Sequence, residues 1–255
     1  MLFKLIKYEL YDLLKSRWIV GIFIFYLLVF YILLEFGREL RKSLLSLGNV
    51  SLLTIPLFSL LLSALYAYHN RNFIEFVLTQ PLKRSHLFVS LFLSLSLSVM
   101  LAYFISSFLV FYYFFGVNFS FIKFSILILS LIPLFVSIGM FCAFLVEDRL
   151  RGIGLSLLLW FAFCILYDTF LLYMAVAFSD YPIEKPLLLL TLLNPIDLLR
   201  LSFLVDAGLY EFIGSIGRPL LVYLKKWWFL PSLCSLFYTL IFYALGFRVF
   251  KGKDM

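Results

Sequence analysis

The chain has 255 residues, of which 64% are hydrophobic and 14% charged, and its mean hydropathy is +1.08. A soluble domain has roughly 45–50% apolar and about 25% charged residues, so this composition excludes a water-soluble fold. The formal charge of +7 comes from basic residues that flank apolar runs, which favours anionic lipid headgroups over nucleic acid as their partner.

Residues 1–17 have an amphipathic pattern. On a helical wheel, one side is apolar and consists of Leu2, Phe3, Leu5, Ile6, Leu10, Leu13 and Leu14. The other side carries Lys4, Lys7, Tyr8, Tyr11, Asp12 and Lys15. The pattern predicts an interfacial helix along the inner leaflet, which either only anchors the chain or also takes part in its function.

Six apolar runs are long enough to cross a bilayer. They are Trp18–Phe36, Val50–Tyr68, Leu87–Gly116, Phe124–Val146, Ile153–Phe178 and Trp227–Phe247. Each should be a helix, because backbone groups exposed to lipid must be hydrogen-bonded within their own segment. We therefore expect an all-α membrane protein with one domain over residues 1–255, an uncleaved first span, and kinks at Pro56 and near Pro133 and Gly139.

The distribution of Lys and Arg predicts the orientation. With the N-terminus inside, 12 of the 21 basic residues lie on the cytoplasmic side and 9 on the other. Most of those nine lie in or beside a long external loop, residues 179–226, and long loops count less in the positive-inside rule. The sequence thus favours a plasma-membrane protein with both termini in the cytoplasm.

The connection between the second and third runs, residues 69–86, is longer than a plain connector needs to be. It contains a short amphipathic segment with charged residues on both sides. Such a segment suits docking into a groove of a soluble partner, although it could instead lie on lipid. The candidate contact residues are Phe73, Ile74, Glu75, Phe76, Val77, Gln80, Pro81, Lys83 and Arg84.

The connection between the fourth and fifth runs carries charges that alternate in sign. These are Glu147, Asp148, Arg149 and Arg151. They could pair with one another, or they could form a second cytoplasmic contact with a partner.

Asp168 is the only acid well inside an apolar run, which makes it a possible intramembrane polar site. No basic residue of the runs is an obvious partner for it. Its carboxyl group could be neutral, could hydrogen-bond a neighbour, or could lie near the outer headgroups at the end of a tilted helix.

The segment Leu193–Leu201 precedes the last run and reads Leu-Asn-Pro-Ile-Asp-Leu-Leu-Arg-Leu. Asn194 is a favourable N-cap, Pro195 suits the first helical position, and Asp197 suits the positive end of a helix dipole. This segment is therefore predicted to begin a helix.

Together these features resemble the permease subunits of the ABC-2 transporter superfamily. The amphipathic start from Lys7 to Trp18 resembles the connecting helix of that family, and the loop with Glu75 and Leu78-Thr79-Gln80-Pro81-Leu82-Lys83-Arg84 resembles its coupling helix. The Asn194-Pro195-x-Asp197-x-x-Arg200 stretch is similar to that of the NosY-type branch, whose permeases are linked to copper-centre maturation of nitrous oxide reductase. The resemblance implies an exporter, formed by a pair of permeases about a two-fold axis with a pair of separate ABC ATPase subunits.

Rival functions find less support in the sequence. It contains no phosphate-binding loop of the form GxxxxGK, no HExxH and no GxSxG, and its three cysteines stand alone in apolar runs, so we expect neither an enzyme nor a metal or cofactor site. An ion-coupled carrier would need several polar groups at the midplane, where only Asp168 is a candidate. A membrane assembly protein without transport activity is the other alternative.

Overall fold

The computed structural model describes residues 2–37, 39–80, 83–178, 184–208 and 226–252, and all regular secondary structure in these ranges is helical. Six helical segments are long and apolar enough to span a membrane, which confirms the predicted fold class. They are α2 (Arg17–Gly37), α3 (Leu40–His69), α5 (Arg84–Phe115), α6 with α7 (Phe119–Leu129 and Leu131–Leu145), α8 with α9 (Arg149–Phe161 and Tyr167–Ala177) and α12 (Leu230–Gly252).

Four shorter helices complete the described structure. They are α1 (Leu2–Lys15), α4 (Arg71–Leu78), α10 (Glu184–Leu193) and α11 (Pro195–Asp206). Both α10 and α11 lie in the segment expected to be an external loop, and most side chains of α11 are buried among the spans. Helix α11 is thus packed within the bundle.

The second span begins ten residues earlier than its apolar run, at Leu40 instead of Val50. The added turns contain Arg41, Lys42 and Ser43, which lower the average hydropathy of the segment. One face of these turns is nevertheless buried, through Ser43 and Leu47. A hydropathy window averages over all faces of a helix, so it does not detect a buried stripe of this kind.

The fourth span is interrupted at Ser130, three residues before Pro133. Proline has no N–H, so Pro133 cannot donate to the carbonyl of Leu129, and the helix divides into α6 and α7 near the expected position. In contrast, α3 continues through Pro56 as a single helix.

The contacts of the helix ends define two sides of the bundle. On the termini side, Ser90 of α5 donates to Glu9 of α1 over 3.2 Å, and Arg84 at the start of α5 donates to the carbonyl of Lys251 over 2.9 Å. The far side is the opposite end, where α11 packs against α3 through Phe203. Both α1 and the last turn of α12 therefore lie on the termini side, as six spans require.

On the termini side, α1 packs along the first turns of α5 in the opposite chain direction. Ser94 donates to Glu9 over 3.1 Å and to the carbonyl of Ile6 over 3.3 Å. Burial raises the pKa of Glu9 to about 7, although its hydrogen bonds to Ser94 and Ser90 lower it. The packed face of α1 therefore has an acid at its centre, and Phe3 and Leu14 of the predicted apolar side remain exposed.

The centre of the bundle is the contact between α3 and α7. Every side chain from Leu131 to Met140 of α7 is buried. At Gly139 the helices approach so closely that a Cβ atom would lie 2.5 Å from the carbonyl oxygen of Leu60. The hydroxyl of Ser63 donates to the same carbonyl over 2.9 Å. Ser63 is a small residue whose polar group is satisfied within α3, so it also permits the close approach. Small residues at such contacts let helix backbones pack tightly within a membrane.

We predict that Gly139→Ala destabilises the protein, because the added methyl group meets backbone and forces α3 and α7 apart. The loss should be about 1–3 kcal/mol, the usual cost of overpacking a core. Gly154→Ala is the control, since a Cβ at Gly154 meets no atom within 4 Å. Melting curves in detergent, followed by size-exclusion chromatography, should show a lower melting temperature for Gly139→Ala only; equal curves for both variants would contradict this account of the contact.

Candidate functional site

Helix α4 presents aromatic side chains on the termini side. Only Asn70 separates it from the end of α3. Ile74 and Val77 are buried, whereas the rings of Phe73 and Phe76 are 49% and 62% exposed. The predicted apolar segment thus divides in two: one pair of side chains fixes α4 to the protein, and the other pair is available to a partner.

Polar contacts hold α4 in its helical form. Arg71 and Glu75 are one turn apart and form an ion pair with an Nε–Oε1 distance of 3.1 Å. At the C-terminal end, the hydroxyl of Thr79 donates to the carbonyl of Phe76 over 2.8 Å. These contacts matter because a helix of eight residues is marginal without tertiary support.

The remaining candidate residues of this loop lie in different surroundings. Gln80 and Lys83 are exposed next to α4. Arg84 begins α5, and its guanidinium group binds the carbonyl of Lys251 at the end of α12. Pro81 lies outside the described residues.

The connection between α7 and α8 lies on the same side of the bundle as α4. Tyr68, near the end of α3, donates its hydroxyl to the carbonyl of Val146 over 2.8 Å. Gly152 leaves room for this ring, since a Cβ there would overlap the phenol group. The two candidate contact loops are therefore joined through one tyrosine.

The charges of this second connection pair in part with one another. Asp148 caps α8 by accepting from the N–H groups of Leu150 and Arg151 over 2.8 and 3.3 Å. Its carboxylate also lies 3.8 Å from the guanidinium group of Arg151, so these two charges are close enough to form an ion pair. Glu147 and Arg149 are exposed.

A second group of polar residues lies on the far side, and we name Asp168, Asn194, Asp197 and Arg200 the far-side cluster. Arg200 forms an ion pair with Asp168 and a second one with Asp197, with an Nη1–Oδ1 distance of 3.3 Å in the latter. The amide of Asn194 donates to the other carboxylate oxygen of Asp197 over 2.8 Å. One cation is thus shared by two carboxylates from different parts of the chain.

Local structure explains how Asn194 joins this cluster. Its Oδ1 accepts from the N–H of Ile196 over 3.1 Å, and Pro195 follows at the start of α11, as the sequence predicts. Its Nδ2 also donates to the carbonyl of Phe163 over 2.8 Å. Asn194 therefore caps α11 and connects it to the fifth span.

Phe163 lies in a π-helical segment, Ala162–Leu166, between α8 and α9. In this wider turn the N–H of Tyr167 reaches back to the carbonyl of Ala162. Short π-helical insertions within α-helices are frequent at functional sites. Here the segment presents a backbone carbonyl to the cap of α11.

The charges of the far-side cluster do not balance. Burial raises the pKa of Asp197 to about 6; Arg200 lowers it, Asp168 raises it and Asn194 lowers it. Near neutral pH, two carboxylates face one guanidinium group, and Asp197 gains a proton as the pH falls through about 6.

Asp168 is a candidate from the sequence alone, but its partner Arg200 is not. Arg200 is 32 residues away and was placed in the external loop. The predicted topology puts the end of the fifth span and that loop on the same side of the membrane. The ion pair between Asp168 and Arg200 is compatible with that topology and could have been proposed from it. Buried Glu9 was also missed, because its partners Ser90 and Ser94 are distant in the sequence.

A comparison with protein-family models finds a match to the family described as ABC-2 family transporter protein, over residues 69–255. The matched range holds 187 of the 255 residues, or about 73% of the chain. It begins at the last residue of α3 and includes α4, the second connection and the far-side cluster. No curated protein matches the chain.

We predict that Arg200→Gln destabilises the protein, because it leaves Asp168 and Asp197 together without their shared cation. Adding Asp168→Asn should recover part of the loss, since one of the two carboxylates is then removed. Melting temperatures of the two single variants and the double variant should give a coupling of about 0.5–1 kcal/mol, at the low end of the usual range because Asp168 is half exposed.

The control is the same cycle for Glu39 and Lys42, an ion pair whose side chains are 66% and 73% exposed. Its coupling should be close to zero. Additive effects of Arg200→Gln and Asp168→Asn would contradict the shared-cation description.

Proposed function

The chain belongs to the ABC-2 transporter family, and we propose that this membrane permease is an exporter subunit driven by a separate ABC ATPase that docks on α4. The observation that carries the proposal is the division of α4 into a buried pair, Ile74 and Val77, and an exposed pair, Phe73 and Phe76. A soluble partner that covers two adjacent aromatic rings gains the burial that anchors protein interfaces.

The attachment of α4 supports a mechanical role. Ile74 and Val77 fix it to the bundle, and Asn70 is the only residue between α4 and α3. A partner that moves α4 therefore moves the end of a membrane-spanning helix. A loosely attached loop would absorb such a displacement without transmitting it.

The second connection supports a contact surface larger than α4 alone. It lies beside Tyr68 and exposes Glu147, Arg149 and Arg151, while Glu75, Gln80 and Lys83 are close in the sequence to the rings of α4. Charged residues around an aromatic centre orient a partner and set its rate of association more than its affinity.

The wider assembly is proposed from the family. Two ATP sites about a two-fold axis suit a homodimer of permeases with two ATPase subunits, in the plasma membrane and with both termini in the cytoplasm. The stretch from Asn194 to Arg200 supports a place in the NosY-like branch.

An ion-coupled carrier is the alternative, and it depended on Asp168 as an intramembrane binding group. In the structure Asp168 pairs with Arg200. This pairing argues against the alternative, because Asp168 has a basic partner in the protein and does not stand alone as an ion-binding group.

We predict that Phe73→Ala with Phe76→Ala weakens ATPase binding by a factor of about ten or more, because even one buried aromatic anchor typically contributes about 2 kcal/mol to an interface. The permease should still insert, because neither ring is buried in it. The measurement is co-purification from native membranes, with the partner identified by mass spectrometry through a peptide containing GxxxxGK[ST].

The matched control is Phe3→Ala with Tyr8→Ala, which removes two exposed aromatic rings from α1 on the same side. This variant should retain the ATPase. Equal ATPase recovery from both double variants, at the wild-type level, would show that α4 is not the docking element.

We further predict the orientation by cysteine labelling in a background without Cys142, Cys164 and Cys234. Glu39→Cys lies between α2 and α3, on the far side, and should react with an impermeant maleimide in intact cells. Gly252→Cys, at the end of α12, should react only after permeabilisation. The reverse pattern would place the termini outside.

A further inference from the structure

Two adjoining cavities open between α1, α2, α3 and α8. The first, which we name the termini-side cavity, has a volume of about 510 Å³ and is lined by polar groups from Asp12, Lys15, His69 and Arg149. The second, the apolar groove, has a volume of about 310 Å³ and is lined by Gly21, Ile22, Phe25, Phe58 and Leu61. Trp18, Leu62 and Leu65 line both cavities, so the two adjoin each other.

The charged residues of these cavities favour an anion. Their ionised side chains are three cations, Lys15, Arg17 and Arg149, and one acid, Asp12. None of the three cations is in an ion pair with another residue of the described ranges. The ammonium group of Lys15 donates to the hydroxyl of Tyr11 and lies 4.1 Å from the centroid of its ring, but these contacts do not neutralise its charge. Arg and Lys are the residues that most often bind phosphate oxygens.

The groove favours a hydrocarbon chain. It follows α2 from Trp18 to Phe25, which is about 10 Å of helix at 1.5 Å per residue. Its lining is apolar except for Arg17 at one end, and both helices that form it are membrane spans. The cations thus lie at the end of the groove nearest the termini side, where the headgroup region of a leaflet would be.

We propose that the two cavities bind one anionic phospholipid from the leaflet on the termini side. Its phosphate lies in the termini-side cavity against Lys15 and Arg149, and one acyl chain lies in the apolar groove beside Gly21. Trp18 stands where headgroup and chain meet, a depth at which tryptophan is enriched in membrane proteins.

The two cavities together fit an anionic phospholipid better than a free phosphate or a neutral lipid. A free phosphate would leave the apolar groove unused, and a neutral lipid would leave Lys15 and Arg149 without an anion. The bound lipid would touch α1, the end of α3 and the start of α8, and so would join the N-terminal helix to the spans next to α4.

The experiment is native mass spectrometry of the purified full-length protein with two probes, palmitoyl-oleoyl phosphatidylglycerol and phosphatidylcholine with the same chains. Wild-type protein should bind the anionic lipid at least about tenfold more tightly, a ratio that two charge-assisted contacts readily supply. Lys15→Gln with Arg149→Gln should abolish this preference. Lys7→Gln with Arg248→Gln, which removes two exposed cations outside the cavities, should keep it.

A second variant tests the groove. A Cβ at Gly21 meets no atom within 4 Å, and Gly21 lines the groove, so Gly21→Leu places a larger side chain in it. It should lower binding of the long-chain anionic lipid several-fold and leave dihexanoyl phosphatidylglycerol, whose chains are short, unaffected. Gly154→Leu, at another open glycine in a span, should change neither.

Several outcomes would overturn the proposal. Equal binding of both headgroups by wild-type protein would exclude charge recognition, and equal losses in the two charge variants would indicate only a general surface effect. If Gly21→Leu changes the oligomeric mass without changing lipid binding, the groove belongs to a contact between two copies. None of these measurements involves an ATPase, so they leave the proposed function untouched.

Discussion

The close approach of α3 and α7 at Gly139 determines how the rest of the molecule is arranged. It fixes α3 against the most buried helix of the bundle, and α3 is long: its 30 residues extend about 45 Å. One end of α3 meets Phe203 of α11 at Gly48, and the other reaches Tyr68 and α4. A single helix, packed against α7 between its two ends, therefore contacts both candidate functional regions.

The far-side cluster connects the fifth span to this helix. Phe163 and Asp168 belong to that span, and they bind Asn194 and Arg200 on either side of the start of α11. Since α11 in turn packs on α3, the position of the fifth span depends on ion pairs and hydrogen bonds rather than on apolar packing alone. Such contacts are directional, so a small displacement breaks them, whereas apolar contacts can slide.

The sequence predicted those features that depend on neighbouring residues. Six spans follow from the length of apolar runs, and the cap at Asn194 follows from residues two positions apart. Features that depend on distant partners were missed: the carboxyl group of buried Glu9 accepts hydrogen bonds from serines 81 and 85 residues away. The burial of α11 was missed for the same reason, since Gly48, against which Phe203 packs, is 155 residues away in the sequence.

The arrangement suggests how a force on α4 would reach the far side. Pro56 leaves the carbonyl of Leu52 without its usual helical donor, so α3 is most easily bent between Gly48 and the contact at Gly139. Displacement of α4 would then tilt the part of α3 on the termini side together with α7. The far-side part of α3 would stay against Phe203. Strain would concentrate near Pro56 and at α11, whose polar ties include the shared cation, the amide of Asn194 and the ion pair between Asp206 and Lys123. Asp168 of the fifth span and Asp197 of α11 share one guanidinium group, so a movement of α11 relative to the fifth span would act directly on both ion pairs of Arg200.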